Sequence, residues 1–209
     1  MIVTDDEQLS QLACGFRDQG KTNFTANVHD ELGYNWRMSE PHALIGKTHL
    51  ARLDEFIATR RSIAAIYDRG LSTITGIEPL REAPGVFSNY YKYCAFVRGD
   101  RAQLKKQLKE QHQIGLAGEV YELPLHKQPV FSGYSLGARA PNAERLCATH
   151  VCLPMSAVQT ESEAQRVVES LSSALTGSNV SALSTSFYVN PQKQRPMKVA
   201  VIGGSGFIG

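Results

Sequence analysis

Residues 48–71 constrain the fold most. Leu50, Leu53, Ile57, Ala64 and Tyr67 recur at helical spacing on one face, and Arg52, Glu55, Arg60 and Arg61 fall largely on the other. Such a pattern predicts a long amphipathic helix ending near Gly70 and Gly76, and its apolar stripe must be buried against a second layer. Residues 90–97 (YYKYCAFV) offer one, because aromatic and β-rich runs favour a pleated strand. Asp100 can cap the next helix, whose apolar positions include Leu104 and Leu108. A second strand is expected at 119–123, kept short or at an edge by Pro124. Asn142 or Ala143 opens a short helix, a strand follows at 151–153, and Thr160 caps a last helix over 161–175. Thr160 and Glu163 stand at capping-box spacing, and Ala164, Val167, Val168 and Leu171 share one face. Residues 46–175 therefore read as β-α-β with flanking helices, a small α/β domain.

Residues 1–45 read as the tail of another domain. Residues 1–4 look like the end of a buried strand, and Asp5 is an N-cap for a helix carrying Leu9, Leu12, Ala13 and Phe16 that stops at Gly20. Residues 21–34 lack periodicity. A second helix is expected to start near Ser39, with Glu40 and Pro41 in its first turn. Residues 176–196 turn rich in Ser, Thr and polar residues and read as a linker.

The balance of 22 basic against 20 acidic residues gives no electrostatic reason to expect nucleic acid or an anionic membrane. No apolar run approaches the roughly 20 residues needed to span a bilayer. Four scattered cysteines, none in a C-x-x-C pair, fit a reducing cytoplasm. The six histidines show no metal-ligand spacing. The pairs Arg60-Arg61 and Lys105-Lys106 read as solvated helix faces.

The chain closes on Met-Lys-Val-Ala-Val-Ile-Gly-Gly-Ser-Gly-Phe-Ile-Gly. A continuous apolar run suits a parallel strand buried on both faces, and Gly203, Gly206 and Gly209 follow as G-x-x-G-x-x-G. This resembles the opening of the extended short-chain dehydrogenases, which include NAD-dependent sugar epimerases and dehydratases; the alternative is a glycine-rich tail without a role. The resemblance implies a truncated Rossmann start over 197–209 and a vestigial NAD(P) site, since the following helix and the family's Tyr-x-x-x-Lys pair are not in the sequence.

A second resemblance rests on four blocks in order: Val3 to Leu9 with Arg17-Asp-Gln-Gly20; Gly33-Tyr-Asn-Trp-Arg-Met-Ser-Glu40 continuing to Arg61; Glu119 to Pro129; and Cys152-Leu-Pro-Met155. Together they resemble the DegT/DnrJ/StrS family, pyridoxal-phosphate aminotransferases of fold type I that act mostly on nucleotide-linked keto sugars. The resemblance covers about residues 1–175. It implies the end of a large domain (1–45) and a C-terminal small domain (46–175). Asn35 matches the asparagine that reaches the cofactor phosphate of the neighbouring subunit in a homodimer; a turn asparagine is the other reading. Arg37 matches a rim position that could hold a phosphate-rich substrate, against a surface ion pair. His126 matches a histidine near the substrate, against a structural one. Gln19 departs from the family's usual histidine in its R-x-H-G block, and Pro41, His42 and Ser156 are departures too.

The family's Schiff-base lysine and the acid partner of the pyridine nitrogen lie upstream of the first block, and Lys21 and Lys47 do not occupy that motif. The resemblance therefore implies a fragment of a transaminase, inactive alone, from an enzyme of amino-sugar or polysaccharide biosynthesis with glutamate as amino donor. Two alternatives are a bifunctional protein whose main activity is the epimerase or dehydratase, and a non-catalytic dimerisation module.

Overall fold

The computed structural model describes residues 2–21, 23, 25, 27–116, 119–133 and 140–176. They form two compact units that part between Ala51 and Arg52.

The first unit holds α1 (Glu7–Arg17) and α2 (Glu40–Ala51). The N-cap of α1 is Asp6, one residue later than expected, and its carboxylate accepts the Leu9 N–H at 3.0 Å. Gln19 and Gly20 take positive φ (63° and 75°) and turn the chain back on itself. A side chain at Gly20 would collide with the Glu31 carbonyl, so only glycine permits this close approach. The buried strand expected at residues 1–4 is absent over its described residues 2–4. Ile2 and Val3 are exposed, and among the described residues no strand borders them to pair with. Neither helix of this unit contains a buried residue.

The expected long helix is two helices. Arg52 leaves helical geometry (φ −109°, ψ 6°) and becomes the N-cap residue of α3 (Leu53–Leu71). Its guanidinium folds onto Glu55 at 3.0 and 3.1 Å and over the Phe56 ring. Leu50 and Leu53, predicted on the buried face, are 65% and 42% exposed. The buried stripe runs instead from Ile63 to Leu71.

In the second unit α3 is followed by β1 (Ile77–Pro79), β2 (Tyr93–Val97), α4 (Arg101–His112), α5 (Pro141–Thr149), β3 (His150–Leu153) and α6 (Glu161–Thr176). The sheet is antiparallel throughout, in the order β1-β2-β3, with Ile77 opposite Val97 and Tyr93 opposite Leu153. Tyr90 has a positive φ of 44°, which delays the extended backbone of β2 until Tyr93. The strand expected at 119–123 is absent: the Val120 N–H goes to the His150 ring at 3.1 Å rather than to a ladder, and 3-10 turns follow at Leu125–Lys127 and Pro129–Phe131. β1, which carries Pro79, sits at the sheet edge, where a missing N–H is tolerated.

Alternation along the strands sends Tyr93, Ala95, Val97, Val151, Leu153 and Ile77 into one core. There they join α3, Leu104 and Leu108 of α4, and the apolar face of α6. Each fully buried leucine or isoleucine in it contributes about 1.5–3 kcal/mol. Asp100 caps α4 by accepting from Ala102 and Gln103, and Thr160 and Glu163 close a reciprocal capping box on α6, all as expected. The opposite sheet face carries Cys94, Phe96, His150 and Cys152. Arg101 pins α5 and β3 beside this face, donating to the Cys147 and His150 carbonyls at 2.7 and 3.1 Å.

Candidate active-site segments

In the first unit, the residues after Gly33 run antiparallel to the end of α1. Tyr34 donates its N–H to the Phe16 carbonyl (2.7 Å), Gln19 donates to the Tyr34 carbonyl (2.9 Å), and Trp36 donates to the Arg17 carbonyl (3.0 Å). An isolated antiparallel bridge joins Asp18 to Asn35. Extended backbone alternates its side chains. Tyr34 and Trp36 stack on one side, rings 4.3 Å apart and 4° from parallel, which leaves Asn35 and Arg37 on the other.

Arg37 donates to the Asp18 carboxylate at 2.6 Å; the arginine side chain is 46% exposed and that of Asp18 only 8%. Burying a carboxylate without a partner is costly, so this pair fixes where the Arg37 head sits. Asn35 differs. Its backbone is held from both sides, its side chain is exposed, and among the described residues its amide has no hydrogen-bond partner. An amide carries two N–H donors that an anion can accept from. Gln19, which departs from the histidine expected there, serves through its backbone: its carbonyl accepts from His29 Nδ1 at 2.7 Å, which requires the proton on that nitrogen. A cleft of about 340 Å³ borders α1, lined by residues including Leu12, Phe16, Glu31 and Leu32. It includes neither Asn35 nor Arg37.

His126 belongs to the second unit, in the turn Leu125–Lys127. Its Nε2 lies 3.0 Å from Glu144 Oε1, and Lys127 Nζ lies 2.6 Å from Glu144 Oε2. The Lys127 hydrogen bond first, then that of His126, holds the Glu144 carboxyl below the usual carboxylate range. Glu144, in the first turn of α5, escaped the sequence reading because it is 18 residues from His126. Its only signal is an acidic residue in a helix first turn, which ordinarily reads as complementing the helix dipole.

Two charged pairs expected to be solvated are partly engaged. Arg61 grips Glu82 (2.9 Å) and the Ser88 carbonyl (2.7 Å) and lies 4.0 Å from the Phe87 ring centre. Lys105 holds Glu119 at 2.8 and 3.1 Å, and the Glu119 side chain is only 2% exposed. Burial pushes the Glu119 carboxyl up, but the Lys105 hydrogen bond and the nearby Arg101 charge outweigh it and leave the group lowered. The Lys105–Glu119 pair ties the segment carrying His126 to α4.

Gly203, Gly206 and Gly209 lie outside the described residues. Among the described residues, no helix is long and apolar enough to cross a membrane.

Comparison with known proteins bears on both units. The profile of the DegT/DnrJ/EryC1/StrS aminotransferase family matches residues 1–172. The "Pleiotropic regulatory protein" of Geobacillus stearothermophilus is 35% identical over 177 residues, 82% of this chain and 45% of that protein. "GDP-perosamine synthase" of Escherichia coli O157:H7 is 31% identical over 134 residues, 63% of this chain and 35% of that protein. The crystal structure of S. venezuelae DesV superposes with a TM-score of 0.75 at 25% identity, covering 82% of this chain and 45% of DesV. The chain thus spans less than half the length of these relatives. Neither the family match, which ends at residue 172, nor the described residues support the dinucleotide reading of the C-terminal glycines. The α/β fold and the match over four-fifths of the sequence place the chain in the DegT/DnrJ/EryC1/StrS aminotransferase family.

Proposed function

We propose that this chain forms the C-terminal part of a pyridoxal-phosphate-dependent aminotransferase that aminates a nucleotide-linked keto sugar, with glutamate as donor. One observation carries the reading: the backbone of Asn35 is bridged to Asp18 by flanking hydrogen bonds, and its exposed amide has no partner among the described residues. Such an amide is pre-organised to donate to a phosphate, here that of the cofactor bound by the partner subunit of a homodimer. Asp18 orients Arg37 beside it, so the guanidinium nitrogens it leaves uncommitted are available to the diphosphate of the substrate. In the second unit, Glu144 orients the ring of His126, the candidate substrate-contacting histidine of that unit. The pyridoxal group, when bound, supplies the electron sink for moving the amino group. Lys21 and Lys47 stand outside the family's lysine motif, so the share of work assigned to this chain is holding and orienting. The name of the GDP-perosamine synthase relative supports a nucleotide-linked sugar as substrate.

The test compares wild type and Asn35→Ala in the enzyme that carries this chain. Losing a hydrogen bond to a charged group weakens pyridoxal phosphate about 10–100-fold, while phosphate-free pyridoxal binds unchanged. Equal affinity of both proteins for the phosphate ester would overturn the assignment. An absorbance band near 420 nm (an approximate position) in the purified 209-residue chain would show that one of its own lysines holds the cofactor.

A further inference from the structure

Cys94 in β2 and Cys152 in β3 are 58 residues apart in sequence but directly opposite in the sheet, with Sγ atoms 3.8 Å apart. The Cys94 carbonyl accepts the Leu80 N–H at 3.0 Å, and the Arg98 N–H donates to the Gly76 carbonyl at 2.8 Å. Backbone hydrogen-bonding groups point to alternate sides along a strand. Residues 94, 96 and 98 therefore direct theirs towards β1, and residues 93, 95 and 97 towards β3. The Cys94–Cys152 pair is consequently a non-hydrogen-bonded pair, the closer kind, with Cα atoms about 4.5 Å apart. That lies within the span of roughly 4.4–6.8 Å that a disulfide bridges. Bond formation needs the sulfurs to close to about 2.05 Å, which side-chain rotation can supply.

We propose that Cys94 and Cys152 form a reversible cross-strand disulfide, an oxidative modification site on the sheet face opposite the core. Cys94 is half-buried and Cys152 buried, so an oxidant reaches the pair at Cys94. The hydrogen bond from Cys94, assisted by the Lys92 charge, holds the Cys152 thiol down to about 7, while Cys94 itself is pushed up. Either sulfur can donate the hydrogen bond between them, so once the pair has lost one proton the remaining one can sit on Cys152 and leave Cys94 as the nucleophile. With a low-molecular-weight disulfide such as oxidised glutathione, the Cys94 sulfur attacks one oxidant sulfur, breaks its S–S bond and releases one glutathione thiolate. The Cys152 sulfur then attacks Cys94 and displaces the second. Two protein thiols are oxidised, one small disulfide is reduced, and the two thiol protons leave with the released glutathiones.

The experiment incubates the reduced 209-residue chain with oxidised glutathione and reads intact mass, free thiols and linked peptides. The expected product has lost about 2 Da, two hydrogens, retains two of its four thiols, and yields one cross-linked peptide pair containing Cys94 and Cys152. Dithiothreitol restores the starting mass. Because the chain between the cysteines is long, the oxidised form melts higher, by about 5 °C or more. Cys94→Ser, at the half-exposed position, abolishes the mass loss. The proposal is overturned if a single glutathionyl group accumulates on Cys94 without resolution, if both thiols stay alkylatable, or if the linked peptides contain Cys14 or Cys147.

Discussion

Tyr67 offers the sharpest quantitative test of the packing described above. Its ring is fully buried, 4.9 Å from that of Tyr93. Its hydroxyl donates to the Pro154 carbonyl at 2.7 Å and accepts from Gln159 Nε2 at 2.9 Å. In Tyr67→Phe the ring stays and both bonds go. Among the described residues Gln159 Oε1 is already buried without a partner, so its amide would then have none of them at either end. At pH 8 this costs about 1–3 kcal/mol. Burial also raises the phenol from its ordinary 10.0 to about 12. A group whose folded pKa is raised contributes stability that is fully present below its unfolded pKa and lost as pH climbs through the folded one. Wild type therefore loses about 1 kcal/mol by pH 11 and about 2 kcal/mol by pH 12 through Tyr67 alone, and Tyr67→Phe loses none of it. Tyr93, raised by burial and by its bond to Asp68, gives both proteins a common alkaline slope. Urea unfolding followed by far-UV circular dichroism from pH 8 to 11.5 reads the difference directly. The two stabilities should converge as pH rises; a gap constant across the range, or one below about 0.5 kcal/mol at pH 8, refutes the account.

Further perturbations test other contacts. A side chain added at Gly70 would strike both γ-methyls of Val168 where α3 crosses α6, so Gly70→Ala should destabilise by about 1–3 kcal/mol and Val168→Ala should partly rescue it in a double-mutant unfolding cycle. Thr160→Ala removes the capping box of α6 and should cost about 1 kcal/mol in the same assay, while Thr160→Ser should cost far less. The Glu144 carboxyl is lowered by Lys127 and His126, so its contribution is present above the ordinary carboxylate pKa and fades as pH falls through the folded value. Glu144→Gln should remove that acid-side change from the His126 ring resonances in an NMR titration; an unchanged titration would show that the contact does not hold the ring.

Helix signals were legible wherever they depend on a few neighbours. Asp100, Thr160 and Glu163 mark their helix starts because capping is completed within three residues. The family blocks were equally legible, because they depend on the order of residue types along the chain. The break at Arg52 escaped notice because no glycine or proline announces it; a local Arg52–Glu55 contact and a change of packing unit accompany it. Strand 119–123 looked plausible from composition, yet the partner of Val120 is a histidine ring thirty positions away.

The sequence by itself determined the family, the caps at Asp100 and Thr160, and which residue types stand at positions 35, 37 and 126. Only the tertiary structure decided what each of them touches: Arg37 spent on Asp18, His126 shared with Glu144, Asn35 with an amide that no described residue engages, and Cys94 set against Cys152. Capping and periodicity are set by residues within a turn of one another, whereas ion pairs and cross-strand neighbours join positions 18 to 58 residues apart. Nothing local in the chain encodes those meetings; the packing of helices on an antiparallel sheet does.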